Sequence, residues 1–513
     1  MRSVLGSRML TVLQNPSKRS ISLAAAFGST QLGRAAAIAR CASPSLSPLW
    51  PARLSTEATS FSVPSPKLAQ VKQSGIRVIW ELAHKLEREN GRDDVSDAKE
   101  QDKKEKTESR RILHLEVGQP DFPAPEPVLS ATSAALRDPT YQAYISNSGL
   151  LRLREAIADS TREFAADIIA EDIGPENVVV CHGAVGAISS ALKAILEPGD
   201  EVLIPDPAWS NYEMMVQLEG ATVVKYPLEQ AQGWKPDPQK VASLCSPKTK
   251  VLLICSPSNP TGSVLTKSEL EALAAIAHER NLVIISDEIY SRVLHDDIDV
   301  DSNDRDEVEG EGALSEGSPQ HRHRHQKRSA SLLQVPFLDK SRVVVVDGVS
   351  KAYAMTGFRV GWIVTPNRAL ADAMPKVLEA SVSCGVPFAQ AGALAALSDP
   401  ASQAASVKMA HEYRKRRDVA VAVLREFGLY AYTPAGAFYI LVKACPAEAD
   451  DLEFCKKLLV DQGVAVSPGS AFGNVARGYV RVSLASEISD VEEGMRRLCR
   501  YVGRKNTTEF STY

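Results

Sequence analysis

Short apolar runs recur through the middle of the chain, and each stops at a cluster of Gly, Pro, Asn or charged residues. Residues 177–181, 201–204, 251–255, 282–286, 343–346 and 360–364 are such runs, rich in β-branched side chains. Runs of this length read as strands buried on both faces, and the helical periodicity between them predicts an α/β fold with a largely parallel sheet. Ligands of such sheets sit beyond the carboxyl ends of the strands, so the residues that follow each run are the candidates for chemistry.

The pattern fails in three places. Residues 68–86 have helical periodicity, but the tract from Asn90 to Arg110 is almost without apolar residues and cannot contribute to a core. A second such tract runs from His295 to about Ser331, acidic first and basic later. Patterned sequence resumes at once on either side of both, so they are expected to be solvated insertions rather than domain boundaries. The third is the start of the chain. Residues 1–56 hold Arg2, Arg8, Lys18, Arg19, Arg34, Arg40 and Arg53 and no acid before Glu57, the composition of an organelle transit peptide. Arginine content, and the apolar face of Val4, Leu5, Leu10 and Leu13, favour a mitochondrial address over a plastid one.

With 513 residues, the chain is long enough for two or three domains, and a formal net charge of -4 gives no electrostatic footprint for nucleic acid. No apolar run approaches the roughly 18 residues of a membrane helix. A soluble globular enzyme is expected. Cys41, Cys181, Cys245, Cys255, Cys384, Cys445, Cys455 and Cys499 form no CxxC pair and no cluster at zinc spacing, as for buried thiols of a reducing compartment. No metal is expected; His321, His323 and His325 alternate with arginines, whose charge opposes a cation.

Lys351 changes the picture most. It lies between the runs 343–346 and 360–364, where lost solvation lowers an ammonium pKa and frees an amine that attacks carbonyls. Arg359, eight residues on, keeps its charge and has a planar fork suited to phosphate. A Schiff-base amine beside a phosphate-binding cation points to pyridoxal phosphate. Other strand ends carry compatible groups. The small-residue turn at Ala184 and Val185 opens a helix whose free amides bind a phosphate dianion. Trp209 could stack on a flat heterocycle, and Asn259 and Gly262 belong to a rigid Pro-flanked turn. Asp287 ends an apolar run, where a carboxylate needs a cationic partner such as a pyridinium nitrogen, and Tyr290 could reach the ring's phenolic oxygen.

The motifs SPSNPTG, SDEIY, SKAYAMTGFRVGW and YVRVSLA, in this order, resemble the class I/II aminotransferases of the aspartate aminotransferase superfamily, fold type I, over about residues 65–505. The resemblance implies a large domain, residues 128–365, with a mainly parallel seven-stranded sheet flanked by helices. It also implies a smaller α/β domain from residues 64–127 and 366–507. It implies that Lys351 carries pyridoxal 5'-phosphate as a Schiff base and moves the substrate proton. Asp287 would pair with the ring nitrogen, Asn259 and Tyr290 would bind the ring oxygen, and Trp209 would stack on the ring. Ala184, Val185 and Arg359 would hold the phosphate, with Tyr144 donated by the neighbouring subunit of a homodimer. Arg481 would fork the substrate α-carboxylate, with Gly118, Trp209 and Asn259 also lining the substrate. The reaction implied is ping-pong transfer of an amino group from an L-amino acid to a 2-oxo acid.

Two departures bear on substrate. Family members acting on acidic substrates often carry a lysine where this chain has Val185, and residues 378–386 contain no arginine for a second carboxylate. A carbon–sulfur β-lyase of the same fold is the alternative. A regulator built on the same fold would need an N-terminal helix-turn-helix module, for which the sequence leaves no room.

Overall fold

A computed structural model describes Leu68, Val71 and residues 73–93, 111–165, 173–295, 327–336 and 339–509. The expected transit peptide, the histidines of the second tract and most of both polar tracts lie outside these residues.

Thirteen strands are described: β1 (Leu113–His114), β2 (Val178–His182), β3 (Glu201–Asp206), β4 (Thr222–Glu229), β5 (Lys235–Pro236), β6 (Thr249–Cys255), β7 (Val283–Asp287), β8 (Val343–Gly348), β9 (Val360–Val364), β10 (Tyr439–Lys443), β11 (Val464–Ala465), β12 (Ser467–Pro468) and β13 (Tyr479–Ser483). The main sheet has eight strands in the order β2-β9-β8-β7-β6-β3-β4-β5. It exceeds the expected seven by the two-residue edge strand β5. Strands β8, β7, β6, β3 and β4 run parallel, whereas β9 is antiparallel to both β8 and β2. Residues 349–359 explain the reversal: a parallel return needs a crossover of a dozen or more residues, usually a helix, and this connection holds only the turn Thr356–Phe358.

Alternation along each strand divides the interior in two. Val179 and Cys181, Val202 and Ile204, Val251 and Leu253, and Val344 and Val346 face one apolar cluster. Val178 and Val180, Leu203, Leu252 and Ile254, and Val343 and Val345 face the other. Burying each such side chain contributes about 1.5–3 kcal/mol, which is why the interiors of these runs are apolar. Strand β4 escaped the sequence pattern because it is mostly half-buried and interrupts its apolar positions with Lys225 and Pro227.

The N-terminal helix covers Gly75–Asp93, later than the periodicity over residues 68–86 predicts. Ser74 sets its start, accepting from Ile76 N at 3.3 Å through Oγ and from Arg77 N at 2.9 Å through its carbonyl. Among its described side chains, Ile79 and Ala83 are buried. The helix packs on β11, β12 and the helix Asp451–Gln462. Strand β1 pairs with β11, and β10, β13 and β12 form a second small sheet.

The boundary expected at residue 366 does not coincide with a change of packing partner. Helix Pro387–Ser398 packs on helices Glu126–Arg137 and Leu151–Phe164, and its Gln390 accepts from Leu150 N at 2.8 Å. Residues Val63–Tyr513 form one compact unit. The second polar tract is narrower than expected, because its ends are packed. His295, Ser329 and Ser331 are buried, and Ser331 Oγ donates to the buried Glu288 at 3.0 Å. No described helix is long and apolar enough to cross a membrane.

Candidate active site

Five strands deliver their carboxyl ends to one cavity of about 240 Å³. Strand β2 leads directly into helix Gly183–Ile195, which presents Ala184 and Val185; β3 leads to Trp209, β6 to Asn259 and β8 to Lys351, while β7 ends at Asp287. Gly118, Tyr290, Arg359 and Arg481 complete the expected set around the same cavity. Tyr144 is not among the lining residues and is 88% exposed.

Lys351 is half-buried, and its Nζ donates to the carbonyl of Gly118 at 2.6 Å. Burial first, then the positive charges of Arg481 and Arg359, lower its pKa to about 8, with Asp287 opposing. Asp287 is 2% exposed; Tyr212 donates to its Oδ2 at 2.6 Å and Ile289 N to its Oδ1 at 3.2 Å. Burial raises its carboxyl to about 6 despite those donors. A protonated ring nitrogen entering the cavity would find there a buried carboxylate held by two hydrogen-bond donors.

Arg481, on β13, is buried. Its Nη1 donates to Asn259 Oδ1 at 3.1 Å, and its Nη2 to the carbonyl of Glu116 and to Ser467 Oγ. Its Nε has no hydrogen-bond partner among the described residues, a donor held ready in a fixed fork. Tyr439 stacks below the guanidinium, 4.4 Å from ring centre to Cζ, and shares a hydrogen bond of 2.7 Å with the hydroxyl of Tyr290.

Arg359 is exposed and lines the same cavity. Its Nη1 donates to the carbonyl of Thr356 at 2.8 Å, and its backbone is left-handed, φ 55°. Gly183, also left-handed, lies beneath it, and a Cβ there would come within 2.4 Å of Arg359 Nη2. This glycine lets a guanidinium and the first amides of a helix meet at one spot, the arrangement an anion needs.

Tyr212, Tyr439, Ser350, Ile76 and Val117 line the cavity without having been singled out in the sequence. Tyr212 was the most accessible of them, three residues beyond Trp209 at the same strand end; its ring meets Trp209 edge-on at 5.5 Å. Tyr439 gave no signal, because it sits within a strand that reads as core.

A family model described as aminotransferase class I and II matches residues 110–498. The aspartate/prephenate aminotransferase of Thermus thermophilus is 35% identical over 394 residues, covering 77% of this chain and 91% of its own length. The aromatic-amino-acid aminotransferase 2 of Thermococcus litoralis is 30% identical over 442 residues, covering 86% of this chain and 98% of its own. Among solved structures, aspartate aminotransferase from Thermus thermophilus with maleate superposes with a TM-score of 0.71 at 31% identity, over 86% of this chain and 100% of its own.

Proposed function

Because the chain belongs to the class I and II aminotransferases and is therefore a pyridoxal-phosphate-dependent transaminase, we propose that Lys351 is the residue that carries the coenzyme and moves the substrate proton. The joining of Lys351, Asp287 and Arg481 around one cavity is the observation that carries this reading. The residues present fit the coenzyme: a buried carboxylate awaits a cation, an arginine and free helix amides await a phosphate, and a depressed amine awaits a carbonyl.

When bound, the coenzyme supplies an electron sink for the substrate's Cα electrons. The chain's residues do the rest. Asp287, held by Tyr212, would keep the ring nitrogen protonated, Asn259 and Tyr290 would hold the ring oxygen, and Trp209 would cover the ring. Ala184, Val185 and Arg359 would anchor the phosphate. Arg481 forks the substrate α-carboxylate beside Gly118, so that the Cα proton lies within reach of Lys351 Nζ. The relatives reported above are named for transamination, and none of those names favours the β-lyase alternative.

Three finer readings are part of the proposal. Donors have uncharged side chains: the described cations of the cavity are Lys351, Arg359 and Arg481, each already assigned, and Ile76 and Val117 add apolar surface. The active unit is a homodimer, in which the exposed Tyr144 reaches the partner's phosphate site. Residues 1–56 direct the protein to the mitochondrion, supported by their acid-free, arginine-rich composition. A panel of amino donors against pyruvate and 2-oxoglutarate tests the substrate reading, and faster turnover of aspartate or glutamate than of alanine, leucine or phenylalanine would refute it. Borohydride reduction should fix the coenzyme on Lys351, and a label on any other residue would refute that assignment.

A further inference from the structure

We propose that His84, Glu87 and His114 form a binding site for one divalent transition-metal ion of the zinc class, which ties helix Gly75–Asp93 to strand β1. His84 and Glu87 are three residues apart and so share a face of the helix. That face meets His114 on β1. His84 Nδ1 lies 2.7 Å from Glu87 Oε2, and His114 Nε2 lies 2.9 Å from Glu87 Oε1. One donor atom from each of the three residues falls within 4.8 Å of the others.

A second feature sets this cluster apart from a surface ion-pair network. The other ring nitrogen of His114, Nδ1, is 2.9 Å from Oε1 of Glu116, whose side chain is fully buried. Oε2 of that carboxylate has no hydrogen-bond partner among the described residues. A carboxylate behind a histidine fixes the ring and raises its basicity toward a metal on the far nitrogen. His84 is likewise held, edge-on to Trp80 with ring centres 4.3 Å apart.

The donor set names the metal class. Two imidazoles and a carboxylate suit zinc, nickel or copper rather than calcium or magnesium, and three protein ligands leave a fourth position for water. Tetrahedral bonds of about 2.0 Å separate ligand atoms by about 3.3 Å; Glu87 meets the two rings through different oxygens, so its carboxylate must turn and the three ligand atoms, now within 4.8 Å of one another, must close on the ion. Glu87 is exposed and can rotate to allow it. No sequence signal announced the site, because Glu87 and His114 are separated by the polar tract and meet only in the fold.

The site shares its two chain segments with the cavity. The backbone beyond His114 supplies the Glu116 carbonyl that accepts from Arg481 and the Gly118 carbonyl that accepts from Lys351. Ile76, on the same helix as His84, lines the cavity. An ion here would hold these two segments together.

The test uses the full-length, coenzyme-loaded protein, stripped with a chelator and titrated with zinc chloride by calorimetry. A parallel titration with nickel chloride follows tryptophan fluorescence, which a paramagnetic ion beside Trp80 should quench. The expected result is zinc binding that His84→Ala and Glu87→Gln each weaken by about tenfold or more, with coenzyme content unchanged. Nickel quenching should disappear in both variants and in Trp80→Phe. Absence of zinc binding would overturn the proposal. So would binding undiminished in His84→Ala, or binding without Trp80 quenching, which would assign the ion elsewhere, for example to His321, His323 and His325.

Discussion

The hydroxyl of Tyr212 donates to Oδ2 of Asp287 at 2.6 Å, joining the end of β7 to the helix that follows β3. Burial raises this carboxyl, and of the two hydrogen bonds that oppose the rise Tyr212 makes the larger contribution. Tyr212→Phe removes a charge-assisted bond of roughly 1.5–3 kcal/mol. The expected outcome is a fall in kcat of about tenfold or more with faster coenzyme loss, measured by steady-state kinetics and by absorbance after gel filtration. An unchanged kcat would show that Asp287 needs no help from Tyr212.

The raised carboxyl also has a stability consequence in the coenzyme-free protein. Between the ordinary aspartate value of 3.8 and about 6, native Asp287 binds more protons than the unfolded chain does. Its contribution therefore declines as pH rises through that window, by roughly 3 kcal/mol in all. Denaturant melts of wild type and Asp287→Asn at pH 4 and pH 7 isolate it: the variant should gain on wild type at the higher pH. A pH-independent difference would contradict the shift.

Lys351 titrates at about 8 because burial and two arginines disfavour its ammonium. Only the free amine couples to a carbonyl, so uptake of pyridoxal phosphate by the coenzyme-free protein should quicken about tenfold per pH unit below 8 and level off above it. Arg481→Gln removes one of the opposing charges and should shift the inflection upward. Stopped-flow uptake across pH 6–10 reads both.

Gly118 has no space for a side chain, since a Cβ would lie 1.8 Å from the hydroxyl of Tyr439. Gly118→Ala should break the Tyr290–Tyr439 hydrogen bond and displace the carbonyl that receives Lys351, lowering kcat/KM by two or more powers of ten, about 3 kcal/mol. Adding Tyr439→Phe removes the colliding oxygen and should restore part of the loss. Failure of the double variant to improve on the single one would mean that the backbone, not the hydroxyl, sets the constraint.

Arg481→Lys keeps the charge but not the planar fork. The expected loss in kcat/KM for monocarboxylic donors is about ten- to a hundredfold, with coenzyme content intact because Arg359 and the helix amides serve the phosphate. Coenzyme loss in this variant, or transamination at the wild-type rate, would show the carboxylate site to be misassigned.

The sequence by itself determined the main sheet's buried strands, because a strand covered on both faces tolerates only apolar residues and so declares itself within five positions. It also determined the chemistry of the strand ends. Lys351, Asp287 and Asn259 each follow an apolar run within a few residues, where a polar group has few purposes but a ligand, and Arg359 directly precedes one. Local pattern could not reach what depends on long-range approach. The packing of helix Pro387–Ser398 and the half-exposed β4 follow from what each segment meets, not from its own residues. Tyr439 reads as core because aromatic side chains in apolar runs usually are, and Tyr212 follows Trp209 with nothing local to mark it; only the fold turns their hydroxyls toward Tyr290 and Asp287. The meeting of His84 and Glu87 with His114 is of the same kind, since a helix and a strand separated by a polar tract share no periodicity that could announce their contact.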